Sequence, residues 1–346
     1  METIKHEIFH QNDALLKTRA LMLDHREALT EFLAHPFKNL IFIGCGSGYM
    51  LSCGAANLFS LNTDRKAVAL AGGEVLLAPE KYTKLFSDAL VVIPSRSGET
   101  SEVVFALEKM KEFCSFRCLG IYAKEICTLN NMSDMSILIP WAYDESVCQT
   151  RNISNFYYAL SMLYAFCTGD TELEAGFDAF LQAQNGYLDT VSSMCTEIAA
   201  QNWNNVTVLA DGEISGITSE GALAFTEISI LPSDYYHILD YRHGPIAVAD
   251  PNKLVIVLLV PGEERHQQLM IANLKAHGSH VLTLGSNDQY FWGSDYHVCL
   301  DAFSRYEAWG LPFINLCQVL AFSKAVANGH DPDNPKGLNA FVKLSK

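Results

Sequence analysis

Two segments of this chain repeat one pattern, and that repeat limits the possible folds more than any other feature. The segment "NLIFIGCGSGYMLSCGAANLF" runs from an apolar stretch through a glycine-containing turn into a helix-like stretch carrying Ser52-Cys53-Gly54-Ala55. The segment "NVTVLADGEISGITSEGALAF" does the same and carries Ser219-Glu220-Gly221-Ala222, 167 residues further on. A second pair, "ALVVIPSRSGE" and "KLVIVLLVPGE", aligns on Gly98 and Gly262, 164 residues apart. Two similar offsets in the same order indicate an internal duplication. Within each copy, short apolar runs alternate with helix-length amphipathic stretches, so each is expected to be α/β, with a doubly wound parallel sheet.

Strands are expected near Leu40–Ile43, Ala67–Leu70, Ala89–Pro94, Arg117–Tyr122 and Ser136–Ile139. In the second copy they fall near Thr207–Ala210, Tyr236–Leu239, Leu254–Val260, Val281–Leu284 and Val298–Leu300. The domain reading is an N-terminal helical segment (1–34), a first domain (35–165), a helical connector (166–194), a second domain (195–329) and a C-terminal tail (330–346) laid over the active site. With 49% hydrophobic and 18% charged residues the chain can build two cores. A net charge of −15 makes nucleic acid and anionic lipid poor partners. The longest aliphatic run, Leu254–Val260, is too short to cross a bilayer, and the N-terminus lacks the apolar core of a signal peptide. Ten cysteines without a CxxC pair read as reduced thiols of a cytoplasmic protein. No metal-ligand spacing is present, and cofactor-free chemistry is expected.

The stretch after Ala89–Pro94 reads Ser95-Arg96-Ser97-Gly98-Glu99-Thr100-Ser101-Glu102 and leads into a helical pattern. A hydroxyl-rich turn between a strand and a helix favours an anion through unpaired backbone amides and the helix dipole. Ser95, Ser97 and Thr100 add side-chain donors, and Gly98 permits close approach of the backbone. Plain N-capping would also use these residue types. The second copy favours the anion, because its matching stretch, Leu258-Leu259-Val260-Pro261-Gly262-Glu263, has no hydroxyl. The glycine turn Gly44-Cys45-Gly46-Ser47-Gly48 is expected to close the same pocket. It lacks a full GxGxxG and a following acidic residue, which argues against a dinucleotide.

Acid–base candidates lie in the second copy. Glu227 shares one face of the stretch "TSEGALAFTEISIL" with Glu220, among small and apolar neighbours. Desolvation there suits a general base; a helix-end salt bridge is the alternative. Sixteen residues later, His243 precedes Gly244-Pro245, which fixes a tight loop around a side chain able to move a proton near neutrality. His237, inside an apolar run, reads as a core histidine.

Together these segments resemble the tandem sugar isomerase (SIS) domain family, with two flavodoxin-like subdomains. "SRSGET" looks like its phosphosugar loop. "TEISILPSDYYHILDYRHGP" and "NGHDPDNPKGLNAFVKL" look like the catalytic stretch and tail of the isomerase half of glucosamine-6-phosphate synthases. By that resemblance Ser95, Ser97 and Thr100 hold a sugar 6-phosphate, with Ser47 nearby. Gly46, Arg96, Gly98, Glu145 and Arg242 are further candidates for the pocket border. Glu227 shuttles a proton between C1 and C2. His243 assists ring opening from the adjacent subunit, making a homodimer the smallest complete enzyme. The chain opens Met1-Glu2-Thr3, so no N-terminal cysteine and no glutaminase activity are expected. It has Ala340 where the synthase-like tail has a ring-opening lysine, Lys336 and Lys343 being out of register. The resemblance therefore leans to the stand-alone deglycases of fructoselysine 6-phosphate and similar amine-linked sugars. Alternatives are an aldose–ketose phosphosugar isomerase, an aminosugar-phosphate deaminase, and a non-catalytic phosphosugar sensor.

Overall fold

The computed structural model describes residues 2–262, 264–287, 292–339 and 344. In chain order it opens with helices α1 (Glu2–Phe9), α2 (Gln11–Asp24) and α3 (Arg26–Ala34). Then follow β1 (Leu40–Gly44), α4 (Ser47–Asn62), β2 (Ala67–Ala71), α5 (Gly72–Leu77) and α6 (Thr83–Phe86). β3 (Leu90–Ser95), α7 (Ser101–Phe113), β4 (Arg117–Tyr122), α8 (Thr128–Met132), β5 (Met135–Leu138) and α9 (Arg151–Thr168) complete the first half. The second half comprises α10 (Thr171–Ala199), β6 (Asn205–Leu209), α11 (Ser215–Ile228), β7 (Ser233–Tyr236), β8 (Lys253–Leu258), α12 (Glu264–Ala276), β9 (His280–Gly285), β10 (Tyr296–Cys299) and α13 (Gly310–Ala327). The chain divides into two compact units, His10–Thr171 with Asn339–Lys346, and Met1–Phe9 with Glu172–Leu338.

In the first unit five parallel strands lie in the order β2-β1-β3-β4-β5. The central strands β1 and β3 are buried along their whole length, as continuous apolar runs covered on both faces require. The edge strands β2 and β5 are only partly buried. Alternation along β1 sends Ile41 and Ile43 into a core shared with Val103, Leu107 and Met110 of α7. Phe42 points the other way, its ring meeting Phe59 of α4, which in turn meets Tyr164 of α9.

The second unit repeats the plan. Its sheet order, β10-β9-β8-β6-β7, becomes the first sheet's order when each strand is replaced by its counterpart in the other copy. The duplication expected from the two offsets is thus present as topology. Val255 and Val257 of β8 pack with Met270, Ile271 and Leu274 of α12. α10 runs as one helix of 29 residues and is built into this unit, with Gln184 donating to Asn315 of α13 at 2.6 Å. The 22-residue stretch Tyr306–Ala327 is long and apolar enough to cross a membrane, which a scan for aliphatic runs misses; 78% of its apolar window is buried inside the protein. All ten cysteines are free thiols.

One strand departs from expectation. β7 covers Ser233–Tyr236, not Tyr236–Leu239. Asp211, just past β6, draws the chain out of the ladder: its Oδ2 accepts from Ile238 N at 3.2 Å and its Oδ1 lies 2.8 Å from His237 Nδ1. His237 is therefore not a core histidine. Its side chain is 58% exposed.

In both sheets the strand order reverses beside the first strand of the copy. In open α/β sheets, ligands bind at that crevice, beyond the carboxyl ends of the strands.

Candidate active site

At the first unit's switch point β1 ends in Gly44 and β3 in Ser95. The turn after β1 doubles back so tightly that a Cβ on Gly44 would lie 2.3 Å from the carbonyl carbon of Gly48. Only glycine fits there. After β3, Gly98 takes φ +62°, a conformation that favours glycine. A Cβ at 98 would also sit 2.1 Å from Cys127 Sγ, so the close approach here is to the start of α8. This corrects the expectation that Gly98 serves approach to an anion.

The hydroxyls of this turn divide into two groups. Ser95 Oγ accepts from Gly98 N at 3.0 Å, and Ser97 Oγ accepts from Glu99 N at 3.1 Å. Two of the amides expected to face an anion are thus taken up by the turn itself, while each serine keeps its own O–H to donate. Thr100 is the N-cap of α7, yet its side chain makes no capping hydrogen bond. The N-capping alternative fails at this residue, and its hydroxyl remains available. Glu99 is engaged: its two carboxylate oxygens accept from Thr128 N at 2.7 Å and Thr128 Oγ1 at 2.9 Å, tying the turn to α8.

These groups open onto a cavity of about 300 Å³. Gly44, Cys45, Gly46 and Gly48 line one side, and Ser95, Arg96, Ser97 and Thr100 the next. Glu102 and Val103 of α7, with Gln149 just before α9 and Ile153 and Phe156 in its first two turns, close it. Burial and, after it, the Glu102 carboxylate hold the Cys45 thiol above its ordinary pKa, so it is a neutral wall group. Arg96 is buried, and its Nη1 donates to Ser146 O at 3.0 Å and Val147 O at 3.4 Å.

Ser95, Ser97, Thr100, Gly46 and Arg96 therefore share one cavity. Ser47, at the first position of α4, is buried and lies outside the cavity lining, as does Gly98. Glu145 is exposed and does not line it. Gln149, Ile153, Phe156 and Glu102 escaped the sequence reading. The cue was available for Glu102, three residues beyond Glu99 in the same motif. None existed for the α9 residues, which packing brings to the turn from some fifty positions away.

In the second unit the corresponding turn is closed by a side chain. Gln267 of α12, 5% exposed, accepts from Val260 N at 2.9 Å and donates to Val260 O at 2.8 Å. Glu227 is half-buried on the last turn of α11, and Glu220, two turns earlier, is buried. His243 and Arg242 are exposed on the loop after β7. His243 N donates to Asp240 O at 2.9 Å, and Gly244 at φ +124° turns the chain into Pro245.

A duplicated parallel α/β fold with a hydroxyl-lined cavity at its switch point places the chain among the open-sheet α/β proteins, with the cavity beyond the carboxyl ends of its strands. Residues 201–323 match the SIS domain. Over 99% of its length it is 24% identical to a glutamine–fructose-6-phosphate aminotransferase (isomerizing) of Helicobacter pylori. The chain spans 58% of the length of that relative. It is 25% identical to D-galactosamine-6-phosphate deaminase AgaS of a Shewanella species, covering 89% of this chain and 80% of the deaminase. Its fold is that of tagatose-6-phosphate ketose/aldose isomerase from Escherichia coli, with a TM-score of 0.85 at 20% identity over 99% of this chain and 96% of the isomerase.

Proposed function

We propose that this chain is an enzyme of phosphorylated-sugar metabolism that moves a proton between C1 and C2 of a sugar 6-phosphate. The observation that carries the reading is the contrast between matched turns: Thr100 keeps an uncapped hydroxyl on an open cavity, whereas Gln267 closes its counterpart. Ser95, Ser97 and Thr100 donate to the phosphate, with Gly46 beside them. The dipole at the start of α7 adds to the attraction. Glu227 is the base and His243 the ring-opening group, given by a second copy of the chain in a homodimer. The relatives named aminotransferase, deaminase and ketose/aldose isomerase support this class of chemistry.

The finer reading is that the sugar carries an amine that is released. In an Amadori compound such as fructoselysine 6-phosphate, Glu227 removes the C1 proton to give an enolamine. Reprotonation at C2 gives an imine at C1, and water splits it into the free amine and a hexose 6-phosphate. For a 2-amino sugar the same steps with C1 and C2 exchanged release ammonia and a ketose phosphate. The likeness to a galactosamine-6-phosphate deaminase favours this second form.

A product screen over phosphorylated amine–sugar conjugates, 2-amino sugar phosphates and plain hexose phosphates tests it. Release of an amine or ammonia is expected. Interconversion of aldose and ketose phosphates alone rejects the finer reading, and turnover of unphosphorylated sugars at equal rates rejects the phosphate site.

A further inference from the structure

We infer that Glu102 is a specificity-determining residue of this cavity, taking a protonated amine of the phosphorylated ligand; the inference rests on the phosphosugar reading above. Glu102 stands in the first turn of α7, half-buried on the cavity wall beside Cys45 and Val103. Its neighbour Glu99 has both oxygens bonded to Thr128. Glu102 has no hydrogen bond or ion pair among the described residues. Arg96, the cation among the described lining residues, directs Nη1 to the carbonyls of Ser146 and Val147. Among the described lining residues, two carboxylates thus stand against one guanidinium before any ligand enters.

A phosphate ester brings close to two further negative charges near neutral pH. Packing that anion near an uncompensated carboxylate is unfavourable where water is partly excluded. A ligand with its own cation removes the conflict, because an ammonium is attracted by Glu102 and by the phosphate alike. A neutral sugar phosphate leaves it in place. A carboxylate in the first turn also complements the helix dipole. That role explains the residue type on any helix and predicts no ligand preference, so binding separates the two. The same carboxylate suits an amine on C1 or on C2.

The test uses inert open-chain ligands and the full chain. Binding of glucitol 6-phosphate is compared by calorimetry with binding of 1-amino-1-deoxyglucitol and 2-amino-2-deoxyglucitol 6-phosphates, in wild type and Glu102→Gln. The tighter amine is expected to bind roughly ten-fold better than glucitol 6-phosphate to wild type, the scale of one charge-assisted contact. Glu102→Gln is expected to abolish that ratio and to leave glucitol 6-phosphate bound as well or better. Equal binding by wild type, or a ratio that survives in Glu102→Gln, overturns the inference alone. Failure of all three phosphates to bind overturns the phosphosugar reading and this inference with it. Thermal unfolding of Glu102→Gln controls for folding, and Glu102→Asp, which keeps the charge, is expected to retain part of the ratio.

Discussion

Asp211 holds His237 and Ile238 with its two carboxylate oxygens, Oδ1 lying 2.8 Å from His237 Nδ1 and Oδ2 accepting from Ile238 N at 3.2 Å. From that clamp, backbone bonds lead onward: Tyr241 N donates to His237 O, and His243 N to Asp240 O. Asp211→Ala is expected to cost about 1–2 kcal/mol, since Ile238 is buried and its amide loses an acceptor. If His243 is a working residue, turnover should fall further than stability explains, while phosphate-ligand affinity stays unchanged. Chemical denaturation and steady-state kinetics check the two parts separately.

Thr100→Val separates binding from folding. The hydroxyl makes no capping bond, so its loss should move unfolding free energy by less than about 0.5 kcal/mol. Affinity for hexose 6-phosphates should fall by about ten-fold, the scale of one hydrogen bond to a charged group. Ser97→Ala should weaken binding similarly, with a small stability cost because Ser97 Oγ also accepts from Glu99 N. Equal thermal shifts with phosphorylated and plain sugars would contradict both.

Glu227→Gln is expected to abolish exchange of the C1 or C2 proton with deuterated solvent, lowering turnover by at least about 10³-fold while ligand binding persists. Full turnover by this variant removes the base assignment.

Gly98→Ala should destabilise the first unit by roughly 2–4 kcal/mol, because the new methyl meets Cys127 Sγ at 2.1 Å and the residue sits at φ +62°. Cys127→Gly in the same chain is expected to restore part of the loss by removing the clash while the strain at φ > 0 remains. Urea unfolding of the single and double variants reads the difference.

Burial pushes the Cys118 and Cys195 thiols up to about 12. Above the ordinary thiol value the unfolded chain releases these protons and the folded chain keeps them. Stability is therefore full below about pH 9 and is lost as pH rises from there toward the folded values. Unfolding free energy measured across that window should fall, and Cys118→Ala should flatten the fall even though it creates a small cavity.

The architecture was legible because it is written in local periodicity. Apolar runs such as Leu90 to Pro94, too short for a helix and followed by a glycine turn, read as buried strands, and two copies of one strand–turn–helix pattern needed no long-range information. The hydroxyl turn was legible too, by comparing Ser95–Thr100 with its counterpart. Edge geometry was not: Tyr236 to Leu239 has a strand's composition, but Asp211, far away in sequence, takes Ile238 N out of the ladder.

The duplicated parallel α/β fold, the tight glycine turn at 44 and the asymmetry between the two turns are written locally in the chain. Each of these is decided within a few residues by backbone sterics, side-chain chemistry and burial pattern. Which polar groups remain available is set by packing between distant segments: Glu99 is taken by Thr128, Arg96 by carbonyls fifty residues on, and Val260 by Gln267, while Thr100 and Glu102 are left facing the cavity. A side chain's availability depends on every partner that packing brings within hydrogen-bond reach, and those partners lie outside any local window of sequence.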